Sequence, residues 1–110
     1  MEVIKEDYCS FELSKLLKEK GFEQEGCHKS YSMEGPVAPT HQMAMKWLRE
    51  KHDIIIVIEP HSYNHMEEKT SSYDFSIWYG DNYEHPLTTN YSTYEEAVEA
   101  AILYVLSEVL

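Results

Sequence analysis

Glycine is scarce in this sequence, and its four residues are too widely spaced to form a phosphate-binding loop. They stand at positions 21, 26, 35 and 80, so the Gly-x-Gly motif does not occur. Glycine-rich loops need closely spaced glycines, because their backbone approaches the phosphate groups where a Cβ would obstruct. The sequence therefore offers no sign of a nucleotide-binding fold of this kind.

Long apolar runs are also lacking. The two longest, IIIVI and AAILYVL, are far shorter than the ~20 residues that cross a bilayer. The sequence begins MEVIKEDYCS, which is acidic, so we expect no signal peptide and a cytoplasmic protein. In that compartment we expect Cys9 and Cys27 to be reduced structural thiols; the alternative is a disulfide or redox pair.

Basic residues are few, and the charge is uneven along the chain. Nine Lys and Arg stand against twenty Asp and Glu, which gives a net charge of −11. Residues 1–55 carry eight basic and ten acidic residues, whereas residues 56–110 carry ten acidic residues and only Lys69. Affinity for nucleic acid comes largely from Lys and Arg that displace counterions from phosphates. We therefore expect no direct binding to nucleic acid or to anionic membranes.

Apolar residues are plentiful enough for a hydrophobic core. They make up 43% of the 110 residues. A chain of this length buries roughly 65% of the surface that its unfolded form exposes. We expect one domain over residues 1–110, stable without metal ions or disulfides.

Three segments carry the signals of helices with defined ends. Ser10 can cap the first helix, and Gly21 can end it in a left-handed conformation that leads into a Schellman motif. Thr40 can cap the second helix, which is predicted to end at Asp53. Thr93 begins a Thr-x-x-Glu capping box and a long apolar helix.

The strands are predicted between and after these helices. The β-branched run at 54–59 is typical of a central strand, which Pro60 should end, and a polar connector should follow over 61–72. Residues 73–80 alternate between apolar and polar side chains, as a second strand would. A hairpin loop at 80–82 should lead to a third strand near 83–87, at the edge of the sheet because it contains Pro86.

A weaker strand is predicted at 27–33, before a turn at 34–36. Helices and strands in this order favour an α+β fold. We expect a small antiparallel sheet of three to four strands, with about three helices packed on one face.

Three helical segments carry a resemblance to known sequences: SFELSKLLKEKGF, APTHQMAMKWLREKHDI and TYEEAVEAAILYVL. Their shared features are helix caps, helix stops and apolar faces: Ser10, Gly21, Pro39, Trp47, Leu48, Thr93, Glu95, Glu96 and Ala97. In these features the chain resembles a family of short uncharacterised proteins of gut bacteria and their phages. The resemblance implies a phage, prophage or mobile-element origin and no mechanism.

The histidines do not form a recognisable metal motif. Cys27 and His28 are adjacent, and His61 and His65 are four apart in a segment where Pro60 makes a helix improbable. Zinc sites usually show paired ligands on defined elements, so we expect no metal; metal-dependent chemistry around His61 and His65 is the alternative.

Catalytic residues are not predicted either. His41 and His52 lie at opposite ends of the second helix, about 16 Å apart, and are expected only to flank it. Cys9 precedes the first helix, a position that lowers a thiol pKa, but no nucleophile motif surrounds it. We expect a protein that is not an enzyme and binds no cofactor.

Surplus apolar and aromatic side chains indicate an interaction surface instead. Trp78 shares its side of the second strand with Asp74 and Ser76, so the ring is either at an interface or covered by a loop or terminus. Leu103, Leu106 and Leu110 widen the apolar face of the last helix past half its circumference.

From these residues we predict that the protein is a non-enzymatic accessory factor that binds another protein. We also expect a homodimer, formed through the last helix or the open sheet face. The alternative is an acidic nucleic-acid mimic that inhibits a DNA- or RNA-binding protein.

Overall fold

The computed structural model describes residues 7–22, 29–30, 37–65, 68–85 and 91–110. They form helices α1 (Phe11–Glu19), α2 (His41–His52) and α3 (Tyr94–Tyr104), and a π-helical turn, Val105–Val109, continues α3. The strands are β1 (Lys29–Ser30), β2 (Val37–Ala38), β3 (Ile54–His65), β4 (Glu68–Tyr79) and β5 (Asn82–Glu84). Strands β3, β4 and β5 form an antiparallel sheet in that order, and β1 pairs with β2. The predicted α+β fold is confirmed.

Helix α1 begins and ends where local signals place it. The Ser10 hydroxyl accepts a hydrogen bond from the Leu13 N–H at 3.2 Å. At the other end Gly21 has a φ of 99°, which a glycine adopts without strain. The Phe22 N–H donates to the Leu17 carbonyl at 2.9 Å, and the Gly21 N–H donates to the Lys18 carbonyl at 3.1 Å. These two bonds are the Schellman motif that the sequence predicted.

The caps of α2 and α3 are also confirmed. The Thr40 hydroxyl accepts from the Met43 N–H at 3.1 Å, and the Thr93 hydroxyl accepts from the Glu96 N–H at 3.0 Å. Asp53 ends α2 in the left-handed region, with a φ of 55°. Asp and Asn adopt this conformation more readily than most residues because a short polar side chain can bond locally.

The hairpin of β3 and β4 is longer than predicted. Residues 61–72 were expected to form a polar connector after Pro60, but paired strand continues through most of this segment. Pro60 lies opposite Tyr73, which exchanges both of its backbone hydrogen bonds with Tyr91, on the side away from β3. Pro60 and Tyr73 therefore form a non-hydrogen-bonded pair, in which Pro60 needs no N–H. Strand β3 can continue beyond Pro60 for this reason. The connector prediction is wrong for this reason.

The turn between β4 and β5 follows the prediction closely. Tyr79 pairs with Asn82, so the loop contains only Gly80 and Asp81. Gly80 has a φ of 57°. The third predicted strand is present as β5, whereas Pro86 lies outside the described residues.

The core lies between the sheet and the helices. One face of the sheet buries Ile54, Phe75 and Ile77 against α2 and α3, while α1 packs on α3. The helices contribute most of the remaining fully buried side chains: Leu13, Leu17, Ala44, Leu48, Val98, Ala101, Ile102, Val105 and Leu106. Cys9 also lies in this core, with no exposed surface. Its burial agrees with a structural thiol.

The segment between α1 and α2 is described only in part. The weak strand predicted at 27–33 corresponds to β1, but Cys27, His28 and the predicted turn at 34–36 lie outside the described residues. In the described part of the chain, no helix has both the length and the apolar character needed to cross a membrane.

Candidate functional site

Three chemically reactive side chains from distant parts of the sequence meet at the start of two helices. Cys9 precedes α1, His41 is the first residue of α2, and Glu99 lies in the middle of α3. One ligand atom from each side chain lies within 4.8 Å of the others. We call these residues the Cys-His-Glu cluster.

Backbone pairing brings the two helix starts together. The Cys9 N–H donates to the Pro39 carbonyl and the His41 N–H donates to the Asp7 carbonyl, each at 2.9 Å. The segments that lead into α1 and α2 therefore run antiparallel, side by side. Helix N-termini carry partial positive charge, so this arrangement favours an anion between them.

The Glu99 carboxylate occupies that position. One oxygen accepts a hydrogen bond from the Ser10 N–H at 2.9 Å, and the other lies 2.6 Å from His41 Nε2. Burial raises the pKa of Glu99, but the hydrogen bonds from His41 and Ser10 outweigh it, so the net pKa lies below the usual value. Glu99 thus links α3 to the starts of α1 and α2 as an anion.

The three side chains of the cluster differ in their exposure to solvent. Cys9 has no exposed surface, and the His41 and Glu99 side chains are 10% and 28% exposed. A substrate atom cannot approach the Cys9 sulfur without a local opening, which does not suit a nucleophile. Thiolate, imidazole and carboxylate are, however, the three ligand types that zinc accepts.

Local sequence patterns do not predict this cluster. They indicate only that His41 flanks its helix and that Cys9 precedes another. Cys9 and Glu99 are separated by most of the chain, so no local spacing relates them. The 8% exposure of His41 shows that it is buried where its helix begins, and only the structure shows this.

Among the described side chains, His52 and His85 are the other histidines, and neither belongs to this cluster. His61 and His65 lie on β3, but their side chains, and the metal-dependent alternative that rests on them, lie outside the described part of the structure. His52, at the opposite end of α2, packs its ring against Trp47 with the centroids 4.7 Å apart.

A second candidate site lies on the outer face of the sheet. Ile55, Trp78 and Tyr83 stand side by side across the three strands, since Ile55 pairs with Trp78 and Trp78 pairs with Tyr83. Their exposed fractions are 46%, 49% and 50%, and the two rings are 4.4 Å apart. We call this row the aromatic stripe.

Trp78 differs in exposure from the residues that share its side of β4. Asp74 and Ser76 point to the same side of β4 as Trp78, as expected, but they are only 4% and 1% exposed. Trp78 itself keeps half of its surface in solvent. Of the two alternatives, an exposed ring describes this structure better than a covered one.

The three leucines of the last helix have different environments. Leu106 is 1% exposed and belongs to the core, so its assignment to an interaction surface is corrected. Leu110 is partly buried against the same core. Leu103 is 43% exposed and lines a groove of about 330 Å³ with Phe75, Tyr91, Tyr104 and Glu108.

Comparison of this chain with known protein families, with curated proteins and with solved structures found no match.

Proposed function

We propose that this protein is a non-enzymatic accessory factor that binds another protein through the aromatic stripe. The observation that carries the proposal is the row of Ile55, Trp78 and Tyr83, each about half exposed and adjacent across three strands. Trp and Tyr dominate binding energy at interfaces because they bury a large area while keeping one polar group.

The position of the stripe supports this role. The outward face of an antiparallel sheet is normally polar where it meets water. Here the helices already cover the opposite face, so folding the core leaves these three side chains exposed. Their cross-strand contacts also hold the rings in place, so a partner would restrict little further motion.

The charge of the chain points to the chemistry of the partner. The net charge is −11, and two exposed acids lie on either side of the stripe: Glu59 is further along β3 than Ile55, and Asp81 is in the turn between β4 and β5. A protein with an apolar pocket and a basic rim would complement both features. A second copy of the chain would bring the same negative charge, so a different protein is favoured over a homodimer.

The homodimer remains a prediction with a narrower basis. Leu106 is internal, which leaves Leu103 and Leu110 on the last helix. Static light scattering at micromolar concentration distinguishes a doubled mass from a single one. We also propose a cytoplasmic location and a phage or mobile-element origin. If the partner found by affinity capture is a nucleic-acid-binding protein, the alternative of an acidic nucleic-acid mimic is favoured.

The experiment is affinity capture from host cytosol with the wild-type chain, Trp78→Ala and Phe11→Ala. Phe11 is a matched control, because it is 48% exposed and lies on α1, away from the stripe. We expect a protein with a basic surface that wild type and Phe11→Ala both retain. Trp78→Ala should bind it at least about tenfold more weakly, as a central aromatic residue would.

Circular dichroism of the variants should show unchanged helix content, because Trp78 is not a core residue. Capture that survives both Trp78→Ala and Tyr83→Ala at full strength, or no specific capture at all, would overturn the proposal.

A further inference from the structure

We propose that the Cys-His-Glu cluster binds a divalent transition-metal ion, with zinc as the natural occupant. A sulfur, a nitrogen and an oxygen ligand come from Cys9, His41 and Glu99, and they lie within 4.8 Å of one another. Hard ions such as Mg²⁺ and Ca²⁺ prefer oxygen ligands alone, whereas a mixed set with a thiolate suits Zn²⁺ or Co²⁺.

The geometry needs only small side-chain movements. Zinc bonds of about 2.0 to 2.3 Å in a tetrahedral arrangement place ligand atoms about 3.3 to 3.8 Å apart. The 2.6 Å distance between His41 Nε2 and the Glu99 carboxylate oxygen must therefore increase. The longest distance between any two of the three ligand atoms, at most 4.8 Å, must decrease. Each change is about 1 Å, which side-chain rotation alone can supply.

The backbone around the cluster is already fixed. Paired hydrogen bonds hold Cys9 and His41 at adjacent helix starts, and the Ser10 N–H orients one oxygen of Glu99. Outer hydrogen bonds of this kind position metal-binding carboxylates. The cluster therefore resembles a preorganised site more than a chance approach of three flexible side chains.

The ion would enter from the side of Glu99, the most exposed member of the cluster. Three protein ligands leave a fourth position for water. Binding requires the Cys9 thiolate, so the thiol proton passes to solvent, and it requires an unprotonated ring nitrogen on His41. The ion would then join α1, α2 and α3 at one point.

Titration of the full-length chain with Co²⁺ under reducing conditions tests the proposal. Cobalt reports its ligands directly, because thiolate coordination adds a charge-transfer band in the near ultraviolet that nitrogen and oxygen ligands do not produce. We expect one equivalent to bind with this band, and Zn²⁺ to displace it. Exposed histidines that collect metal would bind without the sulfur band.

Two matched pairs of variants locate the site. Cys9→Ser should abolish the band, while Cys27→Ser keeps it. Glu99→Gln should weaken binding at least about tenfold, while Glu96→Gln, on the exposed side of the same helix, should not. Thermal unfolding of each variant without metal confirms that it is folded before the titration is interpreted.

A band that is lost in Cys27→Ser but kept in Cys9→Ser would overturn the proposal. The same holds for the absence of any saturable binding with a sulfur band in the folded wild-type chain. In either case the cluster would act only as a hydrogen-bonded link between three helices.

Discussion

Leu103 and Leu106 are three positions apart on the last helix, where they lie on neighbouring parts of its surface. Leu103 is 43% exposed, whereas Leu106 is 1% exposed and surrounded by the core. Their chemistry is identical, so the difference comes entirely from what packs against each side of the helix. For these two leucines, position on the helix decides burial, and residue type does not.

At this scale we expect Leu106→Ala to destabilise the fold by about 2 to 5 kcal/mol, because it removes buried methyl groups and leaves a cavity. Leu103→Ala should cost less than about 1 kcal/mol, since most of its surface contacts solvent or an open groove. Urea denaturation followed by circular dichroism measures both. Equal losses of stability would show that Leu103 is covered in solution.

Secondary-structure elements differ in how local their determinants are. The caps at Ser10, Thr40 and Thr93 bond to N–H groups three residues away, so the sequence alone predicts them. Strand length is different, because β3 and β4 pair through residues that look like a polar connector. Whether Pro60 ends a strand depends on which edge its nitrogen faces, and that is set by the partner strand.

One contact between elements should make stability depend on pH. The Tyr104 hydroxyl on α3 donates to a Glu84 carboxylate oxygen on β5 at 3.0 Å. This bond, burial and the negative charges of Glu84 and Glu108 raise the pKa of Tyr104, and Tyr79 adds to the effect. The folded state therefore holds the phenol proton more tightly than the unfolded state does.

The stabilisation that follows from the raised pKa of Tyr104 is complete below the pKa of tyrosine in the unfolded chain, about 10. It is lost as the pH rises through the higher pKa of Tyr104 in the folded state. We expect the free energy of unfolding to fall between about pH 9 and pH 11 more steeply in wild type than in Tyr104→Phe. Denaturation curves at several pH values give the two slopes. Parallel slopes would mean that the hydrogen bond is absent in solution.

The whole molecule combines a sheet face covered by helices, a second face on which the aromatic stripe is exposed, and a strongly negative charge. The net charge of −11 acts over the entire surface and does not depend on the fold. The stripe, in contrast, exists only because three strands place Ile55, Trp78 and Tyr83 in one row. The proposed basic protein partner rests on these two features together.

At this scale we expect no measurable binding to duplex DNA or RNA, even at low salt. Binding would require Lys and Arg to replace counterions, and residues 56–110 contain only Lys69. Fluorescence anisotropy with labelled duplexes at about 50 mM salt is the most permissive test. Saturable binding that weakens as salt is added would contradict the expectation.

Local sequence patterns were enough to predict the helices, their caps and the hairpin turn at Gly80, because each depends on residues within a few positions of one another. The order of these elements along the chain then predicted the α+β class. Long-range packing, in contrast, sets which leucine of the last helix is buried, how far β3 and β4 extend, and that Cys9, His41 and Glu99 meet. Each of these depends on chain segments that are far apart in sequence, and local spacing carries no information about such contacts.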